Sequence, residues 1–427
     1  MSNGFSLIVL CYFGLFLAKS NGQAFNDYDN FPHDYSKAKL KDPMSLLLDK
    51  VSDGKVDLVE SNDYKLLENL LDELDIDNES QVLVFSKTSL QKAAVSLKNP
   101  RAIYFNDEVY LGWMPGGRIE IASADPERGF IFYFQRPIKD KKSQLFVRDK
   151  VCLECHAGSA TNFLPGPLGR SVFPSHSGRS LKSVDTYELI GHHVPLSERW
   201  GGWYVTGDDE SINHMGNSIA FRPENTSKLK LKKITDDFDL PKILKASHYP
   251  HAGSDIRALL IFDHQVGVHY ELVEAAYKAR QALFDSTKSG AKGDERLQKS
   301  IDEIVNSLVP ILLMKDEIQL GEKITRPNAN SDFTKAFSSR SIKDSKGRSL
   351  RDLKFNKTIF KHSCSYMIYS KSFVSLPEVL KNAVFKRIKD ILNIKNKDEE
   401  YDYITPVKKM ELLEILTETV PGFVKFS

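Results

Sequence analysis

The five residues Cys152-Leu153-Glu154-Cys155-His156 constrain this chain more than any other feature of its sequence. Two thiols lie three positions apart, and an imidazole follows directly. This spacing is typical of covalent attachment of a c-type haem, in which both thiols bond to the porphyrin and the histidine binds the iron. The motif therefore predicts one covalent haem c per chain, with Cys152 and Cys155 as attachment points and His156 as the proximal iron ligand.

Three other interpretations of the cysteine pair are open. A zinc site usually needs four ligands from two such pairs, and the sequence has no second C-x-x-C. A thioredoxin-like redox motif would open a helix after a strand, which the glycine-rich surroundings do not favour. A structural disulfide leaves His156 unexplained. Outside the pair, Cys364 lies among apolar and aromatic residues, which predicts a buried packing residue.

The amino terminus carries an apolar run from Phe5 to Ala18, followed by polar residues and a small-x-small site at Gly22 and Ala24. This pattern predicts a secretory signal peptide over residues 1–24. The run is shorter than the ~20 residues that usually span a bilayer. Because no lysine or arginine precedes it, a membrane anchor and a buried helix remain alternatives. The prediction is a periplasmic or otherwise exported protein, with no membrane span after signal cleavage.

The charge balance is nearly neutral, with 59 basic and 57 acidic residues in 427. It gives no reason to expect nucleic acid as a partner. The expected partner is a redox protein whose identity the sequence leaves open.

Hydrophobic patterning predicts an α+β fold. Residues 25–148 form an amino-terminal α+β region, in which helical periodicity gives way to five short segments rich in β-branched and aromatic residues between 82 and 134. Residues 149–427 hold a loop-rich segment around the cysteine pair and then a helical carboxy-terminal region. Apolar spacing near 3.6 predicts helices over 257–284 and 295–318, with a break at 286–294. Further helices are predicted near 377–394 and 406–417.

The sixth iron ligand has several candidates in the stretch after the motif. We predict a histidine, with His214 first and His193 second; Met215 and an open position are the alternatives. His214 lies in a polar H-M-G-N turn, whose glycine permits close approach of the backbone. His193 is held extended by the proline two residues later, at position 195.

An aromatic stretch, Arg199-Trp200-Gly201-Gly202-Trp203-Tyr204, follows the histidines. It predicts a wall of the haem pocket containing Trp203, with Arg199 paired to a haem propionate; plain core packing is the alternative. On a predicted helix, His264 and His269 lie five positions apart, about 140° round an ideal helix. They are therefore not expected to share a metal.

Several long motifs resemble a family of large bacterial proteins with a c-type cytochrome domain, for which no reaction is established. The resemblance covers nearly all of the chain beyond the signal and includes C-L-E-C-H, E-R-W-G-G-W-Y-V-T-G from Glu198 to Gly207, and H-M-G-N from His214. It implies haem attachment at Cys152, Cys155 and His156, and places His193 and His214 in the family pattern.

The expected function is electron transfer by an exported mono-haem cytochrome. Small cytochromes achieve electron transfer in far fewer residues than follow the motif here, and the excess favours a surface for a substrate or partner. The alternatives are a haem-dependent oxidoreductase acting on peroxide or oxygen, and a haem-based binding or sensing protein. Whether there is catalysis stays open at the level of sequence.

Overall fold

The structure is a computed structural model that describes residues 28–58, 62–137, 145–183, 190–207, 212–224, 226–235, 239–244, 248–251, 253–321 and 332–426. The predicted signal peptide, residues 1–24, lies outside these described residues.

The amino-terminal region combines two helices with a six-stranded antiparallel sheet in which neighbouring strands follow one another along the chain. Helix α1 spans Pro43–Ser52 and α2 spans Asp63–Glu73. The strands are β1 (Val82–Val84), β2 (Arg101–Phe105), β3 (Val109–Trp113), β4 (Glu120–Asp125), β5 (Gly129–Gln135) and β6 (Phe146–Arg148). The antiparallel sheet predicted from the five apolar segments is confirmed. Strand β6 was not predicted, because it lies in a charged stretch.

The two faces of this sheet bury different sets of side chains. One face packs against α2, whose residues Leu66, Leu67, Leu70 and Leu71 are all buried in one core cluster with strand residues such as Leu111. Their i, i+3, i+4 spacing forms one apolar stripe, and Asn62 caps the helix by accepting from the Lys65 backbone N–H. The opposite face, with Tyr110 and Phe132, belongs to a second core cluster shared with the carboxy-terminal half.

The middle of the chain contains short elements joined by long connections. These are α3 (Leu153–His156), β7 (Val172–Pro174), β8 (Ser180–Ser183), β9 (Ser218–Phe221), β10 (Lys230–Lys233) and α4 (Leu240–Ile243). This segment is tied to the amino-terminal sheet, since the backbone N–H of Phe85 donates to the carbonyl oxygen of Gly202 at 2.9 Å and Val84 forms an isolated bridge with Trp203. The segment therefore closes over one edge of the sheet.

The carboxy-terminal part is helical, as predicted. It comprises α5 (Ile256–Ser289), α6 (Ala291–Leu312), α7 (Asp332–Ser339), α8 (Lys371–Val374), α9 (Glu378–Leu392) and α10 (Pro406–Thr419). The break between α5 and α6 is narrower than the predicted 286–294: only Gly290 separates the helices, and its φ of 57° suits glycine. One core cluster joins β5, Trp203, α5 and the final helices, so these regions pack together. Among the described residues, no helix is long and apolar enough to cross a membrane.

Candidate functional site

A cavity of about 420 Å³ lies between the amino-terminal sheet, helix α5 and the loops of the middle segment. This volume is within the ~300–1,000 Å³ usual for pockets that take cofactors or small ligands. Its lining includes Lys87, Leu90, Lys92, Arg101, Ile103, Tyr110, Gly112, Glu120, Ala122, Phe132, Val151, Cys152, Cys155, His156, Arg170, Trp203, Phe262 and Val266. All three residues of the predicted attachment motif therefore border one space.

Small side chains at the centre of the sheet make room for this cavity. In the strand register Tyr110 pairs with Ala122, which pairs with Phe132, while Gly112 pairs with Glu120. Because side chains alternate between the two faces of a sheet, these residues share the face that borders the cavity. Because Gly112 has no side chain and that of Ala122 is small, space remains above the middle of that face. The larger side chains of Tyr110 and Phe132 lie beside this space.

The two cysteines lie on a short helical segment directly after β6. The carboxylate of Asp149 begins this segment by accepting from the backbone N–H of Val151 at 3.1 Å. Cys152 is half-buried and Cys155 is exposed, and the two thiols are not joined to each other. Burial, with the nearby Asp149 carboxylate, raises the pKa of Cys152 to about 12, so its side chain is a neutral thiol. Cys364, by contrast, is fully buried in the core and is not among the residues that line the cavity.

His156 is held in one orientation at the cavity wall. Its Nδ1–H donates to the carbonyl oxygen of Gly166 at 3.0 Å, and its ring packs on Phe132 with the centroids 4.4 Å apart. Burial lowers its pKa to about 4, so the imidazole is neutral at pH 7. The other nitrogen, Nε2, forms no hydrogen bond with any described residue. A neutral imidazole with a carbonyl on Nδ1 presents the lone pair of Nε2 to a metal.

Four cationic side chains border the cavity, against one carboxylate. They are Lys87, Lys92, Arg101 and Arg170, while Glu120 forms an ion pair with Arg101 at 2.8 Å. The side-chain Nε of Arg170 is buried and has no hydrogen-bond partner within the described part of the chain. The cavity is thus positive, which favours an anionic ligand. Sequence reasoning missed these residues, because they come from a loop, a strand and a second loop with no shared motif.

The other predicted site residues fall in different places. Trp203 borders the cavity, and its Nε1–H donates to the backbone oxygen of Arg170 at 2.8 Å. Arg199 does not line it: its guanidinium forms a buried ion pair with Asp263, 3.4 Å apart. Neither His193 nor His214 is among the described lining residues. The ring of His214 packs against Trp200 at 5.4 Å, and its Nδ1 accepts from the Gly216 N–H.

A second group of histidines is buried without a cavity. His192 Nδ1 lies 3.0 Å from His264 Nδ1, His192 Nε2 donates to the Lys315 carbonyl oxygen, and His264 Nε2 bonds to the Ser365 hydroxyl at 2.8 Å. Burial holds the pKa of His264 well below its usual value and lowers that of His192 to about 3. Both imidazole rings are therefore neutral at pH 7, and their hydrogen bonds hold core elements together. We call His192, His264 and Ser365 the histidine layer.

His269 points to a different partner from His264, in line with their angular separation on the helix. Its Nδ1 accepts from the hydroxyl of Tyr110 at 3.0 Å, and Gln265 Nε2 donates to the same hydroxyl oxygen at 2.8 Å. Within the described part of the chain, no group of three or more histidine, cysteine, aspartate or glutamate side chains is placed to hold a metal ion. The arrangement does not provide a protein-only metal centre there.

The residues that border the cavity include the groups that would hold a haem attached through the motif. The cavity offers two thiols and a neutral imidazole on one wall, a low apolar sheet surface, and cations that match the two carboxylates of a haem. In comparisons with known proteins, no family model, no curated protein and no solved structure matches the chain.

Proposed function

We propose that this chain is a mono-haem c-type cytochrome that carries single electrons. The observation that supports the proposal is the convergence of Cys152, Cys155 and His156 on one cavity of cofactor size. The motif alone could have lain on a surface loop with no space beside it. When bound, the haem iron would supply the one-electron redox chemistry. The residues of the chain would hold the haem, orient it and limit its contact with water.

Four of those residues would orient and insulate the group. The Gly166 carbonyl fixes the tautomer of His156 and the plane of its ring, which also makes the imidazole a stronger ligand. Phe132 packs on that ring, and Trp203 and Phe262 add apolar surface to the lining. An apolar surround limits the access of water to the group and thereby tunes its reduction potential. The exposed Cys155 indicates that one edge of the bound group would lie near solvent, where a partner protein can exchange electrons.

The sixth iron position stays a prediction, with His214 first and His193 second. For either to bind, its segment must move toward the cavity, because both lie outside the described lining. This placement supports a second candidate function, in which the sixth position is open and the haem reacts with peroxide, oxygen or another small molecule. Carbon monoxide binding to the reduced protein separates the two, since a bis-histidine iron binds it poorly.

The remaining parts of the proposal rest on sequence. We propose export to the periplasm, guided by the predicted signal at residues 1–24, because covalent haem attachment takes place outside the cytoplasm. Membership of the family of bacterial c-type cytochrome-domain proteins is likewise proposed from the motifs, with a redox protein as partner.

Spectroscopy on protein matured in a host with the haem-attachment machinery tests the proposal. Denatured wild-type protein should keep a haem-stained band, and the reduced form should give a c-type spectrum with one haem per chain. A colourless band would refute the proposal. For the sixth ligand, His214→Ala should open the site to carbon monoxide while His193→Ala should not; the reverse result would exchange their order. Strong binding to the wild type would establish the open-site function instead.

A further inference from the structure

Ala122 is unusually small for its place in the sheet. It lies in the inner strand β4, on the face that borders the large cavity. Its cross-strand partners are both aromatic, Tyr110 in β3 and Phe132 in β5. Alanine is depleted in strands, and a β-branched residue opposite an aromatic one stabilises a sheet more than alanine does. The stability of the sheet therefore does not explain the small side chain at this position.

The packing around Ala122 does not explain it either. Ala122 is only partly buried, whereas Ala124, two positions along the same face of β4, is 1% exposed and part of a core cluster. A larger side chain at position 124 would press on packed neighbours. At position 122 it would extend into the cavity, which Ala122 borders and Ala124 does not. The small side chain of Ala122 thus keeps part of the cavity open.

The two aromatic side chains beside Ala122 are held in place from outside this space. The Tyr110 hydroxyl donates to His269 Nδ1 at 3.0 Å and accepts from Gln265 Nε2 at 2.8 Å. The Phe132 ring packs on the ring of His156, with the centroids 4.4 Å apart. Because both rings are fixed by these contacts, they do not turn inward to fill the space, and the gap between them is formed before a ligand binds.

Gly112 continues the same open floor along β3. It has no positive φ, and an added Cβ would come no closer than 3.5 Å to its nearest neighbour, Arg101 Cδ. This distance is an ordinary van der Waals contact, so neither the backbone nor the neighbouring atoms require glycine there. A glycine inside a strand often marks the close approach of a ligand.

The gap above Ala122 is narrow and apolar. Tyr110 and Phe132 lie on strands two apart, so their Cα atoms are separated by roughly 10 Å, or two strand spacings of ~4.8 Å. Their rings reduce the free width further, and a flat ring system fits such a gap better than a folded or branched group. Cationic side chains at the border of the cavity, among them Lys87 and Lys92, match anionic substituents on that ring system.

We infer that Ala122 is the specificity-determining residue of the large cavity. Its small side chain admits a flat ring system with anionic substituents, which contacts the sheet between Tyr110 and Phe132. The inference rests on the proposed function, since the flat ring it names is the porphyrin of the haem, and it adds which surface of the chain that ring contacts. Ala122 acts by leaving space, so its replacement by a larger residue should block the ligand and spare the fold.

Three variants separate a role in ligand binding from a role in packing. Ala122→Ile fills the gap with a residue that suits a strand, and Ala122→Ser is the matched control, because it adds only one atom. Ala124→Ile makes the larger change on the same face of the same strand, but in the core. In urea denaturation of the full chain without haem, Ala122→Ile should keep or raise the midpoint, whereas Ala124→Ile should lower it. A lowered midpoint in Ala122→Ile would show that packing requires the alanine.

The binding measurement is a titration of the same chains with mesoporphyrin IX, followed by quenching of tryptophan fluorescence, since Trp203 borders the cavity. This probe is flat and carries two carboxylates, but it has no iron for His156 and no vinyl groups for the thiols. Ala122→Ile should bind it at least about tenfold more weakly than the wild type, and Ala122→Ser should bind it within about threefold. Bilirubin, a folded tetrapyrrole that also has two carboxylates, should bind the wild type at least about tenfold more weakly.

Equal binding of mesoporphyrin to Ala122→Ile and the wild type, no binding to the wild type, or equal binding of bilirubin would overturn the inference. In haem-loaded protein, the circular dichroism of the Soret band gives a second readout that does not depend on the haem-free chain. This band should change in Ala122→Ile and not in Ala122→Ser, and an unchanged band in both would also refute the role of Ala122. The haem stain of the wild type tests the proposed function separately, since it is read without reference to Ala122.

Discussion

Two regions of this molecule contain buried or half-buried histidines, and they are built in opposite ways. In the cavity, His156 bonds to one carbonyl through Nδ1 and leaves Nε2 toward a space of about 420 Å³. In the histidine layer, both nitrogens of His192 and His264 are committed to each other or to protein oxygens. The first arrangement leaves a lone pair for a ligand, and the second uses every lone pair to hold elements together.

The surroundings differ in the same sense. Cationic side chains and two thiols face the cavity, while the histidine layer lies among fully buried groups such as Phe360 and Tyr366. A histidine is thus available for chemistry when its second nitrogen faces space, and structural when that nitrogen has a partner. Changes in the cavity should alter binding of the proposed haem and leave the stability of the fold unchanged, whereas changes in the histidine layer should do the reverse.

The largest effect should come from the thiols. Cys152→Ala with Cys155→Ala should abolish the covalent haem completely, because no bond to the porphyrin remains. A haem-stained gel of denatured protein measures this. Cys364→Ala is the control and should retain the stain, since that thiol is buried in the core. Retained colour in the double variant would show that the attachment lies elsewhere in the chain.

Next in size is the loss of the histidine layer. His264→Ala should lower the free energy of unfolding by about 3 kcal/mol, because it leaves a cavity and removes the partner of both His192 and Ser365. Urea denaturation at pH 7 measures it, with the exposed His176→Ala as a control expected to change stability by less than about 0.5 kcal/mol. The haem stain should persist. Lost haem with unchanged stability would contradict the comparison.

Lowering the pH should reduce the free energy of unfolding, because buried histidines such as His269 stay neutral while the unfolded chain takes up protons. Burial lowers the pKa of His269 to about 3, against about 6.5 when unfolded. The unfolded chain therefore takes up the proton first as pH falls. The contribution of His269 to stability is complete above about pH 6.5 and decreases down to about pH 3, by about 1.4 kcal/mol per pH unit.

The variant His269→Gln isolates this term, because glutamine keeps an oxygen that can accept from the Tyr110 hydroxyl. Between pH 6.5 and 4.5 the variant should lose about 2.3 kcal/mol less stability than the wild type in urea denaturation. Glu108 and Glu317, whose pKa values burial raises to about 7, act in the opposite direction but equally in both proteins. Parallel acid limbs would show that His269 is not buried as a neutral ring.

The smallest effect concerns the charge at the cavity mouth. Lys92→Glu should slow reduction of the haem by the anion ascorbate about two- to fivefold at low ionic strength, because the cavity rim then repels the reductant. The difference should vanish near 1 M salt, where the Debye length is about 3 Å. Lys299→Glu makes the same change in net charge at an exposed position on α6 and should change the rate of haem reduction little. Equal slowing by both variants would mean that only net charge matters.

Local sequence patterns determined much of the architecture. The alternation of large apolar residues and turn residues located β1 to β5, and 3.6-residue periodicity located α5, α6, α9 and α10, because both signals come from neighbours along the chain. Periodicity overestimated the break between α5 and α6, since the residues on either side of Gly290 are helical although most of them are exposed and carry no apolar stripe. The spacing of Cys152, Cys155 and His156 likewise needs only five residues to carry its chemical meaning.

Tertiary structure decided what surrounds that motif. Strand register places Gly112 beside Glu120 and so creates the floor of the cavity. Contacts between residues 72 positions apart pair His192 with His264, and contacts 159 apart pair Tyr110 with His269. Nothing in the local sequence encodes such partners, because they depend on which faces meet after folding. For this reason the sequence predicted His156 as a motif residue, but only packing shows that His156 borders the cavity. Packing also decides that His192 and His264 are buried in the core with both ring nitrogens bonded.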